Sequence, residues 1–62
     1  MLYEFEKANG KVEFMHFDFD IEAQTQAEKY NKLPMGEWRV VRVGIVIDED
    51  NIKDIWKEKE NV

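Results

Sequence analysis

His16, Asp18 and Asp20 stand at alternate positions. On one extended strand they would turn an imidazole and two carboxylates to the same side, where a divalent cation could be held. A metal-dependent enzyme built on these three is therefore one reading. Against it, His16 is the only histidine in the chain, and Asp20 precedes a helix-like run, where a carboxylate serves better as an N-cap. His16 is then a surface side chain beside solvated carboxylates. A second acidic group, Asp48, Asp50 and Asp54, has the opening spacing of a calcium loop. It lacks the rest, because Ile52 and Lys53 fill the next ligand and glycine positions and Lys59 replaces the bidentate glutamate.

Other chemistries are excluded by what the chain lacks. It has no serine and no cysteine, and its only aliphatic hydroxyl, Thr25, lies between two glutamines. Serine or cysteine nucleophilic catalysis has nothing to work with. The three glycines are isolated, so no phosphate-binding loop is present. With 62 residues there is too little chain to enclose a sugar cleft between paired carboxylates. The expectation is a protein without enzymatic activity, cofactor or structural metal.

The charge pattern narrows the partners. The formal net charge is −5, with acids concentrated in residues 1–28 and again from Asp48, and bases (Lys29, Lys32, Arg39, Arg42) between them. Coating a phosphate backbone requires the opposite sign, so direct nucleic-acid binding is not expected. Tyr3, Phe5, Phe14 and Phe17 could stack bases, but period-two aromatics on a small sheet are better read as core. The first residues, Met1–Glu6, have neither a basic flank nor an apolar run, and nowhere does an apolar stretch reach membrane-spanning length. The absence of cysteine and of a signal segment points to the cytoplasm.

The elements that must position these residues follow from the apolar pattern. One domain over residues 1–62 is expected, and a chain this short buries only about 60 % of its unfolded surface, with no disulfide to compensate. Asn9-Gly10 separates two alternating runs and predicts a hairpin over 2–19 with a two-residue type I′ turn. That loop length pairs Phe5 with Phe14 and Glu6 with Glu13, and places Tyr3, Phe5, Val12 and Phe14 on one face. A bulge near Met15-His16 is then needed to bring Phe17, Phe19 and Ile21 back to that face. Asp20 caps a helix over 21–33, with Ala23, Ala27 and Tyr30 on its inner stripe and Pro34 and Gly36 ending it. Trp38–Ile47 reads as a third strand with its odd positions inward. Residues 51–60 read as a short C-terminal helix carrying Ile52, Ile55 and Trp56 on one side. The competing second hairpin around Asp48–Asn51 opposes Ile45 to Asp54.

The fold class so predicted is α+β, a ββαβ(α) domain with a three-stranded sheet in the order 2-1-3 and one helix on one face. The opposite face would then display Glu4, Glu6, Glu13, Trp38, Val40 and Arg42. This is either a solvated sheet surface or an acidic docking surface for a basic protein partner, and an inhibitor or adaptor role follows from the second reading. The order 2-1-3 also leaves Trp38–Ile47 at an edge, which predicts a homodimer through that strand and a self-associating accessory protein as the alternative function.

Overall fold

A computed structural model describes residues 1–34 and 36–58, without the side chain of Glu37. The elements are β1 (Leu2–Lys7), β2 (Val12–His16), α1 (Asp20–Asn31), a single 3-10 turn (Gly36–Trp38), β3 (Val40–Asp48) and β4 (Asn51–Lys57). The class is α+β: one helix lies against a four-stranded sheet in the order β2-β1-β3-β4, with every neighbouring pair antiparallel. Among the described residues no helix is long and apolar enough to cross a membrane.

The first hairpin forms where Asn9-Gly10 places it, but its loop has three residues. Lys7 and Lys11 close it: the Lys7 N–H donates to Lys11 O at 2.9 Å and the Gly10 N–H to Lys7 O at 3.0 Å. Within the loop only Gly10 has positive φ, at 87°, and the Asn9 side chain accepts from the Lys11 N–H at 2.9 Å. This is a tight turn followed by a left-handed glycine, not a type I′ turn. The extra residue moves the register by one, so Glu4 faces Phe14, Phe5 faces Glu13 and Glu6 faces Val12. Because side chains alternate with period two, Val12 and Phe14 leave the helix side and Glu13 and Met15 join it. Alternation then runs unbroken to Phe17, whose ring lies 6.0 Å from Tyr3 and 6.2 Å from Phe5. The bulge expected at Met15-His16 is absent because the true register does not require it.

The helix begins at Asp20, with Phe19 as N-cap, and ends at Asn31, short of the expected Leu33. Asp20 is not the cap. Its carboxylate accepts the Tyr3 hydroxyl at 2.6 Å, while the Glu22 carboxylate reaches back to the amides of Asp18 and Phe19 at 3.0 Å each. Ala23 and Ala27 are the buried helical residues, small enough to bring α1 close to the sheet. Ile21 and Leu33 are exposed, as is Phe19.

Two expectations about the C-terminal half are corrected. Residues 51–57 are a strand, so the C-terminal helix over 51–60 does not form, residues 59 and 60 lying outside the described residues. The expected opposition of Ile45 to Asp54 does not arise, because bulges shift the register between Val43 and Asp48: Ile47 in β3 and Ile55 in β4 have no cross-strand partner. Gly44 thereby faces Asp54, Ile45 faces Lys53 and Val43 faces Trp56. The Asp48 carboxylate closes the turn by accepting from the Asp50 amide at 3.0 Å and the Asn51 side-chain amide at 2.9 and 3.0 Å. These bonds to the deprotonated form hold its pKa below the ordinary carboxylate value, the Asn51 bond foremost. With β4 in place the sheet has four strands, not three, and β3 is interior.

Tyr3, Phe5, Ala23, Ala27, Val40 and Val43 are fully buried, with Met15, Phe17, Tyr30, Ile45, Ile55 and Trp56 packed around them. Val40, expected on the open face, is core because Glu6 faces Arg42 while Lys7 faces Val40. Val41 is the extra residue there, and the odd-side alternation holds only for Val43 and Ile45. Ile47, a bulge residue, is exposed.

Candidate protein-binding face

The sheet face turned away from α1 is defined by cross-strand register. One row across it reads Phe14, Glu4, Gly44, Asp54, and the next reads Val12, Glu6, Arg42, Lys57. Residues directly opposite share a face, so these eight lie together. Arg42 is the hub. Its guanidinium lies 3.4 Å from Asp54, 3.6 Å from Glu6 and 3.7 Å from Glu4. Lys57 reaches Asp54 at 4.0 Å. Three carboxylates against two cations leave the two rows together mildly acidic. The Glu4 side chain is only 12 % exposed, between Phe14 and Gly44. Gly44 is needed here because Ile52 Cγ2 occupies the place where a Cβ would sit. Beside the charges, Val12 and Phe14 stand 44 % and 57 % exposed, and Ile52 is exposed on the far side.

Of the six residues expected on this face, Glu4, Glu6 and Arg42 are brought together and Glu13, Trp38 and Val40 are not. Glu13 lies on the helix side because of the register shift and pairs with Lys7 at 2.8 Å. Trp38, carried by the 3-10 turn, stacks at 5.8 Å on Tyr30 of α1, and the Lys7 ammonium lies 4.6 Å from its ring. Its indole Nε1 is buried without a partner among the described residues. Phe14 and Val12 were the residues missed. Their exposure depends on one residue of loop length, which Asn9-Gly10 does not specify. Asp54 and Lys57 were missed because their segment reads as a helix.

The candidate metal ligands do not converge. Asp20 is engaged by Tyr3, and His16 faces away from α1, where Leu2 is its cross-strand neighbour. Among the described residues no three histidine, cysteine, aspartate or glutamate side chains are grouped to hold an ion. Tyr3 is a neutral phenol whose pKa is pushed up to about 12, first by burial and then by the bond to Asp20. What the open face offers is apolar area bordered by fixed charge, which are the parts of a contact surface.

Comparison with protein families, with curated proteins and with solved structures gave no match.

Proposed function

We propose that the chain is a non-enzymatic protein-binding module whose open sheet face docks a partner carrying basic residues around an apolar anchor. The observation that supports this reading is the juxtaposition of exposed Val12 and Phe14 with Glu4 and Glu6, directly across from them on β1. Aromatic residues at the centre of a patch supply most of the energy of association, while surrounding charges select the partner and speed the encounter. The chain's net charge of −5 favours a basic partner over any distance that salt leaves unscreened. An inhibitor or adaptor acts in this way, by covering or bridging a site.

The reading is tested by parallel capture from lysate of the source organism with the parent chain, Phe14→Ala, and a Gln26→Ala control on α1. A protein retained by the parent and the control, lost with Phe14→Ala and released by salt supports the face. Equal retention by all three removes it.

A further inference from the structure

The sheet has two edges, and they differ in how well they are protected. At β4 the edge is interrupted by the Ile55 bulge and carries Lys53, Asp54 and Lys57. Bulges and charges of this kind prevent a second strand from docking. β2 has neither device. Its sequence is Val12-Glu13-Phe14-Met15-His16, its pairing with β1 is regular, and its one carboxylate is neutralised by Lys7 at 2.8 Å. Among the described residues nothing pairs with its outer side.

The direction of its backbone groups is fixed by the hairpin. Lys7 bonds Lys11, and Met1 bonds Phe17 through both its amino group and its carbonyl, so odd-numbered residues of β2 face β1. In an antiparallel ladder the hydrogen-bonding direction alternates along the strand. The N–H and C=O groups of Val12, Phe14 and His16 therefore point outward. We infer that β2 pairs antiparallel with β2 of a second copy about a two-fold axis at Phe14, joining two sheets into one of eight strands.

This register satisfies all the outward groups at once. Phe14 exchanges two hydrogen bonds with Phe14 of the second copy, and Val12 exchanges two with His16 in each half. Glu13 meets Met15, so no like charges are opposed, and the two Phe14 rings become direct cross-strand neighbours on the open face. A two-fold contact uses the same patch on both copies, which a single edge strand provides. The edge formerly expected to pair, Trp38–Ile47, is closed on one side by β1 and on the other by β4. The inference rests on the β2 edge and stands whether or not the open face docks a partner.

The test is sedimentation of the full chain over a concentration series, with amide hydrogen exchange measured alongside. A dimer that forms within micromolar to millimolar concentration, and in which the Phe14 amide is protected and loses protection on dilution, is the expected result. A monomer at millimolar concentration overturns the inference, and so does a dimer whose Phe14 amide exchanges rapidly throughout. Phe14→Lys and Phe14→Glu provide a second arm, since each opposes like charges at the axis. Each alone should be a folded monomer by circular dichroism and sedimentation, and an equimolar mixture should recover the dimer. Phe14→Lys sedimenting as the parent does, or a mixture that stays monomeric, overturns the pairing.

Discussion

The side-chain amide of Asn31 makes both hydrogen bonds that a neighbouring strand would make with Val40: its Nδ2 donates to Val40 O at 3.0 Å and its Oδ1 accepts from Val40 N at 2.8 Å. Asn31 is the last residue of α1 and Val40 the first of β3, so this one side chain sets how the helix returns to the sheet. Asn31→Ala leaves a donor and an acceptor partly buried and unpaired, which typically costs about 1–3 kcal/mol per group. A drop in the urea midpoint without a change in slope is expected. Asn31→Asp should be almost as harmful, because a carboxylate accepts from Val40 N but repels Val40 O.

Gly10 and Gly44 are required for different reasons, and substitution separates them. At Gly10 a Cβ meets nothing within 4 Å, so the whole cost of Gly10→Ala is its φ of +87°, about 1–2 kcal/mol. Gly10→Asn should recover part of that, since asparagine tolerates the left-handed region. Gly44→Ala keeps ordinary backbone angles but collides with Ile52 Cγ2, a branch close to the main chain with little room to yield. Gly44→Ala together with Ile52→Ala should therefore be more stable than the sum of the single changes implies. Additive midpoints would show that Ile52 does not constrain Gly44.

How far the sequence discloses this fold depends on turn length more than on strand pattern. The alternation of Tyr3 and Phe5, the Ala23/Ala27 stripe and the β-branched run at Val43 and Ile45 identify the helix, the first three strands and the order 2-1-3. Apolar periodicity is a property of each segment alone and survives any error in pairing. Register is a property of two segments, and three bulge residues, Val41, Ile47 and Ile55, alter it; only the Ile55 bulge has a glycine, Gly44, across from it. Half of the expected face, Glu4, Glu6 and Arg42, lies on strands whose phase was right. Glu13 and Val40 were displaced by a one-residue loop extension and a bulge. Trp38 sits on a 3-10 turn that a strand reading cannot anticipate.

Tyr3 makes the protein sensitive to alkali. Its pKa is raised to about 12 in the folded chain, against about 10 when unfolded, because burial and Asp20 disfavour the phenolate. Between those values the unfolded chain has released the proton and the native one has not, so stability falls as pH rises from 10 to 12. Below pH 10 the contribution is complete. Tyr3→Phe, which loses the Asp20 bond, should be less stable than the parent at neutral pH but should decline less steeply in that window. Parallel denaturation curves at pH 8 and pH 11 measure the difference, and equal declines would mean that Tyr3 ionises freely in the native state.

Arg42 holds three carboxylates at once, and its removal should produce a defect that salt repairs. Glu4, Glu6 and Asp54 all lie within 4 Å of its guanidinium, Glu6 directly across from Arg42 and the other two across from Gly44, the next residue of β3 on that face. An exposed ion pair contributes only about 0.2–1 kcal/mol, but a shared cation also cancels the repulsion among its partners. In Arg42→Met that repulsion is released, and Glu4 is held where only 12 % of its side chain reaches solvent. The variant should lose roughly 1–2 kcal/mol at low ionic strength, on the scale of several such pairs. Raising salt to about 1 M shortens the Debye length to about 3 Å and screens the acids from one another. Most of the deficit should therefore vanish in high salt, while the parent changes little or weakens slightly. Adding Glu4→Gln to the variant should act as salt does, because it removes the carboxylate least able to reach water. A deficit unchanged by either salt or Glu4→Gln would mean that Arg42 serves through the packing of its aliphatic stem.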